Sequence, residues 1–163
     1  MRRFACCSEA DGPVKPVIGV LCCNEVADRP IQAVATRFVA PLVRYAGASG
    51  DFNPIHYRDD VAADVGLPGV LAHGMLTMGT AVQPVVEWLE GAGDDAGVLG
   101  WVSDYQVRFT RPVVVDPAAG AEIGVVAKVG RVDDEAGTAR IDLTVTFAGQ
   151  TVLGKAQVVV TLA

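Results

Sequence analysis

The chain has 163 residues, of which 51% are hydrophobic and 20% charged, and its formal net charge is −6. This composition predicts one globular domain with a sizeable core and excludes an intrinsically disordered chain. The acidic balance, with no basic stripe, argues against a protein that binds the phosphates of nucleic acid. No apolar run reaches the length of a membrane span, because Gly, Pro, Asp or Gln interrupts each candidate.

Residues 1–25 differ from the rest of the chain in their mixed charges, their two prolines and their lack of any period. They predict a flexible N-terminal extension, followed by one domain over residues 26–163. All four cysteines lie in this extension as two vicinal pairs, which lack the C-x₂-C spacing of zinc sites. Charged residues and prolines also interrupt the apolar region that a signal peptide needs. We therefore expect reduced cysteines without a chemical role, and a cytoplasmic protein.

The first half of the domain reads as one strand and three helices. A β-branched, alternating run predicts a strand over 32–38, and helical spacing predicts a helix over 39–45 that Gly47 and Gly50 end. Acidic residues at its start favour a short helix over 59–65. The segment 73–90 is apolar on nearly all sides, which predicts a long, buried central helix that Pro84 kinks or splits.

The second half of the domain reads as antiparallel strands. Four β-rich runs are separated by turns with a glycine in each, and Ala148-Gly149 is the clearest hairpin. The runs cover residues 101–112, 122–128, 139–147 and 151–162. Consecutive strands after one long helix predict an α+β fold, with a curved antiparallel sheet wrapped around that helix.

The chemistry of the chain is concentrated in the stretch from Tyr45 to His56, which follows the first helix. It places Asp51, Asn53, Pro54 and His56 together, and His56 is one of only two histidines in the chain. Pro54 holds Asn53 extended, so the loop is rigid enough to aim the aspartate and the histidine into one cleft. Such a pair transfers protons near pH 7. The structural alternative is a capping aspartate and a packed loop histidine.

A second short motif, Ala72-His73-Gly74-Met75, stands at the head of the long helix. Backbone N–H groups at a helix start lack partners, and a glycine lets a carbonyl oxygen approach them closely. This is the layout of an oxyanion site. A plain helix-entry glycine is the alternative for Gly74, and for His73 a structural bond to a loop is favoured over a second acid or base.

Two runs, Tyr45–His56 and Val65–Gly79, resemble the hydratase-2 motif of the MaoC-like dehydratases, above all the catalytic B subunit of the mycobacterial-type (3R)-hydroxyacyl-ACP dehydratases. A third run, Tyr105–Pro112, is similar to the strand that follows the central helix in that family. The likeness covers about Val26 to Ala163. Two features depart from the family pattern: the first helix starts without a polar cap, and residues 1–25 have no counterpart.

The resemblance implies a hot-dog fold and a hydro-lyase that interconverts (3R)-hydroxyacyl and trans-2-enoyl thioesters of CoA or ACP by syn addition or loss of water. By the same resemblance, Asp51 and His56 hold and activate the water, Asn53 supports them and the Gly74 N–H binds the thioester oxygen. Ala72, His73 and Met75 are candidate substrate contacts. The resemblance implies no cofactor and no metal, and a homodimer or a heterodimer with a related hot-dog subunit.

Two other functions stay open at this point. One is a non-catalytic thioester-binding subunit of a heterodimeric dehydratase, which would be expected to lack the aspartate or the histidine. The other is a hot-dog acyl-thioesterase. The sequence leaves the acyl chain length, the choice between CoA and ACP, and the oligomeric state undetermined.

Overall fold

The computed structural model describes residues 31–34, 39–91 and 99–163. The predicted N-terminal extension and most of the connector after the long helix lie outside these residues. The elements are β1 (Ile31–Val34), α1 (Val39–Ser49), a 3₁₀ turn (Pro54–His56), α2 (Asp59–Asp64), α3 (Gly74–Gly91), β2 (Gly100–Phe109), β3 (Ile123–Asp133), β4 (Thr138–Phe147) and β5 (Gln150–Leu162).

The five strands form one antiparallel sheet in the order β1-β3-β4-β5-β2. This confirms the predicted architecture. The hairpin at Ala148-Gly149 joins β4 to β5, and both residues have positive φ, 48° and 74°. Two positive φ values define a type I′ turn, whose twist matches that of the flanking strands.

Helix α3 packs against the sheet along one face only. Its buried positions recur at helical spacing and contribute to the same core as the inward side chains of β3, β4 and β5. These positions are Thr77, Ala81, Pro84, Val85 and Leu89. Met75, Gly79 and Gln83 on other sides are exposed, so the prediction of a helix buried nearly all round is wrong.

Pro84 does not split α3, which runs unbroken from Gly74 to Gly91. The proline is itself buried, and Ala81 and Val85 on either side of it are 0% exposed. Packing on both sides of the proline holds the two halves of the helix to the same sheet, which offsets the backbone hydrogen bond that proline removes. None of the helices in the described part of the chain is long and apolar enough to cross a membrane.

The end of α1 positions the loop that follows. The helix continues through Gly47 to Ser49, beyond the predicted end at residue 45. Gly50 ends it with φ +75°, and its N–H donates to the Ala46 carbonyl at 3.0 Å. A left-handed glycine at this position is a common helix stop. The chain therefore turns sharply into residues 51–58, which reach the head of α3.

Candidate active site

The loop after α1 is held by a relay of side chains that accept from backbone N–H groups two residues ahead. The Ser49 hydroxyl accepts from the Asp51 N–H at 3.2 Å, and Asp51 Oδ1 accepts from the Asn53 N–H at 3.2 Å. Asn53 Oδ1 then caps the Pro54–His56 turn by accepting from the Ile55 N–H at 3.3 Å. Such local bonds fix a turn without regular secondary structure. The loop is therefore ordered by its own polar residues.

The His56 ring has a defined proton arrangement. Its Nδ1 lies 2.7 Å from the Leu71 carbonyl oxygen. A carbonyl oxygen only accepts, so Nδ1 carries the hydrogen and Nε2 of the neutral ring has a free lone pair. That Nε2 lies 3.9 Å from Asp51 Oδ2. The His56 side chain is 12% exposed and the Asp51 side chain 52% exposed, so the carboxylate is open to solvent and the imidazole is sheltered.

His73 lies beneath this pair and is 2% exposed. Its ring stacks on the His56 ring with centroids 3.8 Å apart, and the Tyr45 ring lies 4.9 Å away on a tilted plane. His73 Nε2 lies 3.2 Å from the Asp51 carbonyl oxygen, so it donates to the loop backbone. Burial lowers the pKa of His73 below the usual value for histidine, and the neighbouring His56 lowers it further.

Gly74 is the first residue of α3, where backbone N–H groups have no partner within the helix. A Cβ built on Gly74 would lie 3.1 Å from Phe109 Cε1, closer than ordinary van der Waals contact. The Phe109 side chain therefore approaches the backbone at the helix start because this residue has no side chain. The N–H of Gly74 is positioned to donate to a ligand oxygen.

A cavity of about 310 Å³ opens beside Gly74. It lies between the head of α3 and the ends of β2 and β5, and its lining is mixed, with apolar side chains and one guanidinium. The lining residues are Ala72, Gly74, Thr77, Phe109, Thr110, Arg111, Pro112, Val113 and Leu153. Arg111 donates to the Thr151 carbonyl at 3.1 Å and makes no ion pair with the described residues. The cavity is large enough to receive part of a small-molecule ligand.

One atom each from Asp51, His56 and His73 lies within 4.8 Å of the other two, a separation that would suit a metal ion. The two imidazole rings, however, are stacked face to face at an interplanar angle of 23°. Because the ring lone pairs lie in the ring planes, they do not converge on one ion. The geometry is better suited to proton transfer than to metal ligation.

The structure brings most of the predicted site residues together. Asp51 and His56 face one another, and His73 joins them to Gly74. Asn53 directs its side-chain oxygen to the loop backbone. Ala72 is buried and lines the cavity, whereas the Met75 side chain is 57% exposed.

Three features of the site carried no role in the sequence reading. The Leu71 carbonyl orients His56 through the main chain, for which no side-chain signal exists. Tyr45 opens the motif stretch but contacts His73 only through the fold. Phe109 lies in the run 105–112, whose resemblance to a strand of the family gave no indication that this side chain contacts the head of α3.

Residues 24–146 match the family profile of the MaoC-like domain. The chain belongs to the MaoC-like family. It is 37% identical, over 91 residues, to 3-hydroxyacyl-thioester dehydratase X of Mycobacterium tuberculosis; that match covers 56% of this chain and 29% of the relative.

Solved structures place the MaoC-like domain in the hot-dog fold. A MaoC-like dehydratase superposes with a TM-score of 0.68 at 35% identity, covering 81% of this chain and 39% of the other. An (R)-hydratase from A. caviae involved in PHA biosynthesis superposes with a TM-score of 0.67 at 19% identity, covering 83% and 95%. The chain thus spans well under half the length of the first two relatives. The family comprises hydratases and dehydratases, which are lyases.

Proposed function

We propose that this MaoC-like domain is a (3R)-specific hydratase/dehydratase that interconverts trans-2-enoyl and (3R)-hydroxyacyl thioesters. One observation carries the proposal: the free Nε2 of His56 faces the exposed Asp51 carboxylate at 3.9 Å, next to the glycine at the start of α3. The non-catalytic alternative predicted that one member of the pair would be missing. Both are present and aimed at each other.

His56 and Asp51 are close enough to hold one water molecule together. A separation of 3.9 Å is too long for a direct hydrogen bond, yet it lets both groups contact the same water oxygen. In the hydration direction, the water oxygen bonds to C3 of the enoyl group and its proton passes to the pair. C2 takes one proton from the same pair. Because both events use one loop, hydroxyl and hydrogen add to the same face of the double bond.

The head of α3 supplies the second half of the chemistry. As oxygen adds to C3, negative charge develops on the thioester carbonyl oxygen, and the Gly74 N–H stabilises that charge as a donor. A single preorganised donor of this kind is worth roughly 2.7–4 kcal/mol. The positive end of the α3 dipole acts in the same direction. In this scheme the Asp51–His56 pair transfers the protons and the Gly74 N–H stabilises the negative charge.

The proposed substrate is an acyl thioester of CoA or of acyl carrier protein, with the acyl group or the start of the pantetheine arm in the cavity beside Gly74. The proposed assembly is a homodimer or a heterodimer with a related hot-dog subunit. Within this scheme Asn53 shapes the loop, and Ala72 forms part of the cavity wall. The Met75 side chain is 57% exposed and is open to a substrate or to a partner subunit.

Incubation of the full chain with crotonyl-CoA tests the proposal. We expect the enoyl absorbance to disappear and the 3-hydroxybutyryl product to be the (3R) enantiomer. Release of free CoA thiol, measured in the same reaction, distinguishes the thioesterase alternative. Thiol release without hydration, in a protein that is folded by circular dichroism, would refute the proposal in favour of the thioesterase.

A further inference from the structure

His73 is the one buried titratable side chain at the site for which the proposed chemistry has no use. It is 2% exposed, so substrate cannot reach its ring without displacing the loop. In the part of the chain that the structure describes, three groups face it: the Asp51 main chain, the His56 ring and the Tyr45 ring. It also directly precedes Gly74 in the chain.

We propose that His73 is a positioning residue that joins the two halves of the site into one rigid unit. Its side chain holds the catalytic loop by donating from Nε2 to the Asp51 carbonyl at 3.2 Å. Its main chain holds the start of α3, because the His73 carbonyl accepts from the Thr77 N–H at 3.0 Å and from the Thr77 hydroxyl at 3.2 Å. One residue thereby sets the spacing between the proton-transfer pair and the Gly74 N–H. The inference rests on the proposed function.

This role requires one proton arrangement of His73. Donation to a carbonyl requires hydrogen on Nε2, and the buried Nδ1 has no hydrogen-bond partner among the described residues. A second hydrogen on Nδ1 would create a buried positive charge against the face of His56, which is unfavourable. His73 is therefore neutral with hydrogen on Nε2. His56 is the opposite tautomer, with hydrogen on Nδ1.

The stack also constrains His56. The His73 ring covers one face of the His56 ring at 3.8 Å, and the Leu71 carbonyl fixes the Nδ1 edge. With one face and one edge held, Nε2 has a single direction, toward Asp51. Misplacing a catalytic group by about 1 Å costs roughly 10²-fold in rate, so this support has a measurable effect on turnover.

Nitrogen-15 NMR of histidine-labelled protein tests the proton arrangement directly. The chain has only two histidines, so four ring-nitrogen signals are expected. At neutral pH we predict that the His73 ring is protonated on Nε2 only, its signals being assigned with a His73→Gln variant. A His73 that is protonated on Nδ1, or on both nitrogens, would overturn the proposal whether or not the protein hydrates a thioester.

Two variants separate the functions of the His73 ring. His73→Phe keeps an aromatic stack without a donor, and His73→Gln keeps an amide donor of similar reach without the stack. For His73→Phe we expect kcat to fall by roughly 10²-fold with KM within about threefold, since the loop shifts but no substrate contact is lost. The kcat of His73→Gln should be at least about tenfold higher than that of His73→Phe. Circular dichroism confirms folding, and should His73→Phe fail to fold, the NMR result and His73→Gln decide.

The outcomes distinguish this inference from the proposed function. Full activity in both variants, or equal loss in both while both are folded, would overturn the positioning role and leave the hydratase proposal intact. If the unaltered chain shows no hydratase activity, the proposed function fails. The NMR experiment then still decides whether His73 ties the loop to α3.

Discussion

Two aspartate-led turns in this molecule carry similar sequence signals and are built differently. Asp116 opens the turn that Gly120 closes, and its Oδ1 accepts from the N–H groups of Ala118 at 2.8 Å and Ala119 at 2.6 Å. These bonds lower the pKa of the Asp116 carboxyl, the Ala119 bond contributing most. Backbone bonds between Asp116 and Gly120 at 3.1 and 2.8 Å complete the turn.

The Asp51 carboxylate is bound differently. Its Oδ1 accepts one backbone N–H, from Asn53 at 3.2 Å, and its Oδ2 faces His56 Nε2 at 3.9 Å. Oδ1 therefore shapes the loop, and Oδ2 lies beside the His56 ring, whose Nδ1 is bound to the Leu71 carbonyl. The two carboxylates differ in what they bind. Asp116 Oδ1 accepts two backbone N–H groups, whereas Asp51 Oδ1 accepts one and Asp51 Oδ2 faces His56 Nε2, the arrangement expected of the aspartate proposed to transfer protons.

The largest expected effect is the loss of activity in Asp51→Asn, which is compared with the same substitution at Asp116. Asp51→Asn keeps the acceptor for the Asn53 N–H but loses the carboxylate that faces His56, so hydration of crotonyl-CoA should slow by at least about 10²-fold. Asp116→Asn is the matched control, because it keeps its main acceptor and lies in a turn that only caps the backbone. We expect it to retain activity and to change the unfolding free energy little, because the amide oxygen still accepts from the same backbone N–H groups. Near-normal hydration by Asp51→Asn would contradict the proposed difference in role between Asp51 and Asp116.

A loss of similar size is expected on the other side of the pair. His56→Asn places an amide nitrogen where Nδ1 donates to the Leu71 carbonyl, so the loop anchor is kept while the free Nε2 is removed. We predict at least about 10²-fold slower turnover with an unchanged thermal midpoint. Activity within a few-fold of the unaltered protein would show that Asp51 does not need this ring.

A smaller effect is expected at the helix head. Gly74→Ala puts a methyl group 3.1 Å from Phe109 Cε1 and beside the proposed oxyanion donor. Phe109 is 51% exposed and is able to yield, so folding should survive while kcat/KM falls about tenfold, less than the loss of a whole donor. Gly79→Ala in the same helix is the control, since no side chain of the described residues lies within 4 Å of a Cβ built there. It should keep full activity and gain about 0.5–1 kcal/mol of stability. Equal kinetics for the two variants would contradict the role of Gly74.

Features of the fold and the site that depend on side-chain pattern could be predicted from the sequence, whereas those that depend on the main chain or on distant contacts could not. The antiparallel strands, the long helix and the Asp51–His56 motif follow from alternation, spacing and side-chain chemistry, and all appear in the structure. The one-sided burial of α3 could not be predicted from its sequence, because the helix is apolar on nearly all sides and only the folded structure determines which side packs against the sheet. The Leu71 carbonyl acts through the main chain, and the stack of His73 on His56 joins residues 17 positions apart. Both depend on the folded path.

The smallest expected effect is on the pH dependence of stability. The pKa of His73 is lowered in the folded protein, so below the unfolded value of about 6.5 the unfolded chain binds more protons. The unfolding free energy should therefore fall as the pH drops from about 6.5 through the lower folded pKa. Urea titrations of the unaltered protein and His73→Gln at several pH values isolate this contribution as a difference between the two. A difference that does not change with pH would mean that His73 is not held neutral by burial.

The central claim is that one loop and one helix head serve one face of an enoyl thioester. Hydration of crotonyl-CoA in D₂O tests it most directly, because the product records both the configuration at C3 and the face that receives deuterium at C2. We predict a (3R)-hydroxyl with deuterium added on the same face, at a rate that Asp51→Asn lowers by at least about 10²-fold. Addition to opposite faces, a (3S) product, or no hydration by the folded chain alone or with a hot-dog partner would contradict the account.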